Sequence, residues 1–276
     1  MQFRRWHENR NRERFYVDLR PLKKLTPAGA LLLTAEFDRW KHKHFSRLKP
    51  RDVENWDSEV RNLLSTMGFF DLLQTTKPIK FIALSNSKTQ FLPFFRGLNC
   101  DGLPVLKLRN IIEQQVGPMK EVSNLLIYQA VSEAVTNVVL HAYKKATPNS
   151  AYWMSASIDH DENTITIMVL DHGLGIPRTL PQKGLNENES KRSFLKRLTS
   201  LLGIDSIAGF SDDARLIKAA KELGASQTGD RHRGHGLTRD IQFLTTEVGG
   251  KAKLRILSNK GCYVFLISPD AQPPVA

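Results

Sequence analysis

The chain has little cysteine. Cys100 and Cys262 are its only two, far apart and without metal-type spacing, so neither a disulfide framework nor a zinc fold is expected. A reduced, cytoplasmic setting is the expectation. No apolar run approaches the length of a membrane span, so no membrane partner is expected. The first residues, MQFRRWHENRNRERF, are basic but lack the apolar stretch of a signal peptide. No helix-turn-helix, zinc finger or other dedicated nucleic-acid motif is visible. The rest is ordinary globular composition: of 276 residues, 41% are hydrophobic and 25% charged, enough for two domains and a good core.

One sign of charge dominates. Thirteen Lys/Arg against five Asp/Glu give the first fifty residues +8 of the chain's +12. Phe3, Trp6, Phe15 and Tyr16 are interleaved with arginines there. Such a segment can neutralise phosphates and stack on bases. It can equally dock an acidic protein surface, or be a plain solvated face.

Three segments carry the chemistry. Gln129–Tyr143, QAVSEAVTNVVLHAY, reads as one helix, with apolar residues at Ala130, Ala134, Val135, Val138 and Val139 and no Gly or Pro. Glu133, Asn137 and His141 are spaced by four, which predicts one polar row a turn apart. Buried, that row needs a polar counterpart. Ile165–Leu170 reads as a buried strand of mostly β-branched residues ending in Asp171, followed by Gly173 and Gly175 in DHGLGIP. Glycines there let the backbone approach a flat ligand. Arg233–Leu237, RGHGL, precedes a helical stretch Thr238–Val248, and glycines before a helix N-terminus free N–H groups for an anion such as phosphate.

Each segment alone has a bland reading as a buried helix, a β-turn or a helix entry. Their order and spacing together, Glu-x-x-x-Asn, then Asp-x-Gly-x-Gly, then Gly-x-Gly-Leu, resemble the GHKL ATPases with their Bergerat fold. The wording EAVTNVVLHAY with DHGLGIP is most similar to the anti-sigma-factor and histidine-kinase-like branch. The resemblance covers roughly residues 120 to 269. It implies ATP and Mg²⁺ as cofactors. It gives Asn137 the role of Mg²⁺ ligand, which suits a cation that prefers oxygen. Glu133 matches the general base. Asp171 matches the acceptor of the adenine amino group, with Gly173, Gly175 and Ile176 beside the base. Arg233, Gly234, His235, Gly236 and Leu237 match the phosphate box. His141 and Tyr143 match a His-Ala-Tyr helix ending that lies near the phosphates or packs beneath them.

The sequence departs from the pattern in places. Cys262, in KGCYVFLI, stands where members of this branch often carry a Thr near the adenine, and a thiol is a weak hydrogen-bond partner. The second glycine box is single, and no phospho-acceptor helix precedes it, which argues against a sensor kinase. Residues 178–233 correspond to the ATP lid, with helices expected at about Ser190–Leu202 and Asp212–Leu223 and a polar, mobile Leu185–Ser190. A lid that orders over ATP would give two states. A decorative surface insertion is the competing reading. Arg231 and Arg233 could face the γ-phosphate or be a solvated cluster.

The expected fold class is α/β: a two-layer Bergerat sandwich at 113–276, preceded by a small basic α/β domain at 1–112. In that first domain Tyr16–Leu19 reads as a strand. Thr26-Pro27 starts a helix, and Asp57–Met67 forms another. Lys80–Leu84 and Val105–Leu108 read as strands, with a boundary near Arg109–Pro118. A strand ending in Asp-Leu-Arg before a Thr-Pro helix start is similar to STAS domains, with no serine at the usual acceptor place. The function expected is ATP hydrolysis, or phosphorylation of a partner on Ser/Thr, with lid closure switching that partner. The alternatives are a non-hydrolysing ATP-sensing module and a nucleic-acid-linked ATPase. A separately encoded protein effector, a homodimer and nucleic acid at the basic N-terminus are the partners considered.

Overall fold

The computed structural model describes residues 16–44, 49–73, 89–98, 100–143, 150–182, 189–226 and 236–268. The predicted strand Lys80–Leu84, most of the polar stretch Leu185–Ser190, and Arg231, Arg233, Gly234 and His235 lie outside them. The chain is mixed α/β and forms two compact units that interleave in sequence. One holds residues up to Phe94 together with Ser157–Ile165, and the other holds Phe95–Ala156 with Thr166 onward.

In the first unit, strand β1 (Tyr16–Val17) pairs in parallel with β2 (Lys49–Pro50). The Arg20 guanidinium ties the two connections, reaching Asp18 at 2.6 Å and Asp52 at 3.0 Å. It holds the Asp18 carboxyl below the usual carboxylate range. Helix α1 (Pro27–His44) starts where the Thr-Pro signal places it, with Thr26 Oγ1 accepting the Gly29 N–H at 3.1 Å. Helix α2 (Ser58–Thr66) is capped by Asp57, whose carboxylate accepts the N–H groups of Glu59 and Val60. Gly68, at φ 85°, turns the chain into α3 (Phe69–Leu72). Phe69 is fully buried and meets Phe37 edge-on at 5.4 Å and Phe70 at 5.6 Å, which fixes α1 against α3. Strand β3 (Thr89–Phe91) pairs antiparallel with Ser157–Asp159.

The second unit begins with β4 (Phe95–Gly97), antiparallel to the first residues of β5 (Tyr152–Asp159). Strand β6 (Thr164–Asp171) also pairs with β5. Helix α4 covers Leu103–Val116, where a strand is expected at Val105–Leu108. The buried residues are Val105, Leu108 and Ile112, spaced three and four apart, which is helical spacing hidden from a four-residue window. Gly117, at φ 90°, ends the helix. Helix α5 (Glu121–Asn137) packs against α4 and along α9 (Gly236–Val248). With its final turn it is long and apolar enough to cross a membrane, by length and composition. Its apolar residues Ile127, Ala130, Val131 and Val135 are buried within the unit.

Helices α6 (Ile176–Gln182), α7 (Glu189–Leu202) and α8 (Asp213–Ser226) form the insert between the glycine segments. The two expected insert helices are α7 and α8. Leu180, Phe194, Leu198, Leu202, Leu216 and Leu223 close a core of their own. The Arg215 guanidinium donates to the Leu202 carbonyl and lies over the Phe210 ring, joining α7 to α8. The last element is the antiparallel hairpin β7 (Ala252–Ser258) and β8 (Gly261–Ile267). The insert is tied to its turn, where Asp213 Oδ2 accepts the Lys260 N–H at 2.9 Å.

Candidate functional site

The site lies in the second unit, where the end of α5 meets the end of β6. Glu133 and Asn137 sit one turn apart on α5, and the Asn137 amide nitrogen donates to Glu133 Oε1 at 3.3 Å. That bond uses the nitrogen and leaves the amide oxygen as the acceptor on an exposed side chain. Glu133 is half-buried beside it.

Beyond Asn137 the helix relaxes into a single π-helical turn, Val138–Ala142. Such a turn takes in an extra residue. His141 lies on it and is exposed. Tyr143 leaves the turn extended. Its hydroxyl donates to the Ala151 carbonyl at 2.6 Å and accepts the His172 backbone N–H at 3.1 Å.

Strand β6 is found where the sequence places it, but it is not buried. Its first three residues are exposed and the remainder half-covered, while its neighbour β5 is buried almost throughout. A β-branched run marks a strand without saying which faces are covered. At its end Asp171 Oδ1 accepts the Gly173 N–H at 2.7 Å. Burial pushes the Asp171 carboxyl above its usual range, against the downward pull of the Gly173 N–H and the His172 charge. The His172 ring stands edge-on to Trp153 at 5.0 Å, and Trp153 is only 1% exposed.

The glycines are required by close approach. A Cβ on Gly173 would run into the carbonyl oxygen and the Cβ of Ala142. Leu174 N–H donates to that same carbonyl at 2.8 Å. Gly175 takes φ 85°, and a Cβ there would lie 2.6 Å from Asn259 Oδ1. The next N–H, that of Ile176, donates to Ser258 Oγ at 2.8 Å. Ile176 also packs on the core of the insert. Gly236 opens α9 and Leu237 is half-buried in its first turn.

Sequence reading overlooked Ser258, Trp153 and the Ala142 carbonyl. Ser258 is the last residue of β7, at a hairpin turn with no motif, and a backbone carbonyl leaves no trace in a sequence. Cys262, expected beside the adenine, is an exposed free thiol on β8. The hydroxyl that meets the glycine turn comes from Ser258 instead.

Among the described residues no three His, Cys, Asp or Glu side chains gather as a metal centre. One amide oxygen beside one carboxylate fits a magnesium ion that takes its other oxygens from phosphate and water. A half-buried carboxylate with one oxygen engaged, at the lip of a glycine turn, fits a flat base carrying an amino group.

An acid-bearing strand end and a glycine turn, set against the polar end of a helix, define a nucleotide-binding α/β domain. Residues 108–237 match the family described as histidine kinase-like ATPase domain, and that stretch is an ATP-binding domain of the GHKL type. The match runs from within α4 to the first turn of α9. No curated protein and no solved structure matches the chain.

Proposed function

We propose that this domain binds ATP with Mg²⁺ and turns it over, by hydrolysis or by transfer of the γ-phosphate to a serine or threonine of a protein partner. The observation that carries turnover is the 3.3 Å hydrogen bond that keeps the Glu133 carboxylate beside the Asn137 amide. Asn137 would hold the magnesium ion through its amide oxygen, and the ion would supply positive charge at the phosphates. Glu133 takes the proton from the attacking water or hydroxyl as its oxygen bonds to the γ-phosphorus and ADP departs. Asp171 accepts the amino group of the adenine through Oδ2, since Gly173 engages Oδ1. Gly173, Gly175 and Ile176 flank the base. Arg233, Gly234, His235, Gly236 and Leu237 serve the phosphates. His141, on the π-helical turn, borders them.

Helices α6–α8 adjoin this site through Ile176, and we assign them the part of the lid that passes nucleotide state to a partner. Asp213 at the hairpin turn supports that reading, because it joins the insert to the element that carries Ser258. The test is phosphate release from Mg·ATP, with labelled ATP in the same tube to detect transfer to protein. Wild type should turn over. Glu133→Ala should bind ATP and lose about a hundredfold or more in rate, while Asn137→Ala should not bind Mg·ATP. Tight binding without turnover by wild type and Glu133→Ala alike would make the domain a nucleotide-gated binding module instead.

A further inference from the structure

We propose that Tyr143 is the positioning residue for base recognition: its hydroxyl fixes the direction of the Asp171 carboxylate, and with it the preference for a purine that carries an amino group. The inference rests on the reading of Asp171 as the adenine acceptor.

The Tyr143 hydroxyl has one proton, and the Ala151 carbonyl takes it at 2.6 Å. A carbonyl can only accept, so the orientation of the hydroxyl is fixed and a lone pair is left for the His172 N–H at 3.1 Å. That N–H belongs to the peptide unit joining Asp171 to His172. Three successive amides are then held in place. His172 is held by Tyr143, Gly173 by Asp171 itself, and Leu174 by the Ala142 carbonyl at 2.8 Å. Two of the three anchors are consecutive residues at the end of the π-helical turn. The π turn therefore sets the Asp171 side chain from outside its own strand.

The Tyr143 contact differs from the other two. The Gly173 bond is local to the turn and moves with it. The Ala142 bond holds the far side of Gly173. Of these three contacts, the Tyr143 hydroxyl is the one on the peptide that flanks the Asp171 Cα. Without it, the peptide can rotate and swing the carboxylate while the glycine turn stays closed. A hydrogen bond to an exocyclic amino group is directional and weakens steeply off line. A purine with a carbonyl in that place offers no donor to Asp171 and has nothing to lose.

The test uses the full chain with Mg²⁺, and compares wild type with Tyr143→Phe by calorimetry against ATP and against inosine triphosphate. Phenylalanine keeps the ring and removes both hydrogen bonds. ATP affinity should fall about tenfold while inosine triphosphate affinity stays within about twofold, so that the preference for ATP narrows. An equal fall for both nucleotides would reduce Tyr143 to a packing residue, and an unchanged ATP affinity would overturn the proposal as well. Failure of wild type to bind ATP is a different result, which removes the ATP reading and this inference with it. Should Tyr143→Phe not fold, amide hydrogen exchange on wild type decides. The His172 N–H should be protected as a bonded amide is, and exchange as fast as an open loop would sink the idea.

Discussion

The helical insert and the glycine turn share one compact unit and are built in opposite ways. Helices α6–α8 close on apolar side chains, with Leu198 fully buried and Leu202 nearly so. The glycine turn rests on hydrogen bonds, a desolvated carboxylate and two close approaches that only glycine permits. The first arrangement stabilises the fold and carries no chemistry. The second sets an ionisable group where folding alone would not place it. A ligand offering a hydrogen-bond donor recovers what that burial costs.

Three substitutions test this contrast, from the largest effect on stability to the smallest. Leu198→Ala should cost about 2–5 kcal/mol in denaturant unfolding, because it opens a cavity in the closed core. ATP affinity of the folded protein should not change. A parallel loss of affinity would break the comparison, because nucleotide binding would then depend on the packing of the insert core as well as on the glycine turn. Asp171→Asn should act in the opposite direction. The folded carboxyl titrates above its unfolded value, so the ionised group opposes folding once the pH rises above the carboxylate range. The variant should therefore melt at a higher temperature than wild type at neutral pH. That gain should shrink as the pH falls and wild-type Asp171 takes up its proton. ATP binding should vanish. A lower melting temperature at neutral pH would show that the carboxylate holds the turn together. Asp213→Ala removes the acceptor of the Lys260 N–H and should cost about 1 kcal/mol or less, read by the same unfolding experiment. A loss as large as that of Leu198→Ala would mean that the joint between insert and hairpin is not local.

Legibility in the sequence follows the range of the interaction. Helices α1, α2, α7 and α8 could be placed from local signals: Thr26-Pro27, the Asp57 cap, and the apolar stripe Phe194, Leu198, Leu202. The pairing of Glu133 with Asn137 is also local, a single turn of one helix. Helix α4 was hidden because Val105–Leu108 alone spans barely one turn, and the burial of Ile112 is needed to show the period. The π-helical turn was hidden because Val138–Ala142 is as helix-compatible as the residues before it. At its end the Ala142 carbonyl bonds to Leu174, far along the chain. The contacts of Tyr143 join residues 143, 151 and 172, and those of Ser258 join 258 to 176. No spacing rule reports such meetings of distant segments.

The π-helical turn also makes chain length a functional quantity. Between Asn137 and Tyr143 the residue count matters more than the residue types. Val139 or Leu140 could be exchanged for another apolar residue with little consequence. Deleting either would take the extra residue out of the π-helical turn, and the chain would have to re-form that turn to keep Tyr143 on Ala151 and His172. In the vocabulary of sequence change, this stretch tolerates substitution and resists gain or loss of a codon. Its spacing from Asn137 to Tyr143 is thus a more faithful marker of a working site than the identity of any apolar residue inside it.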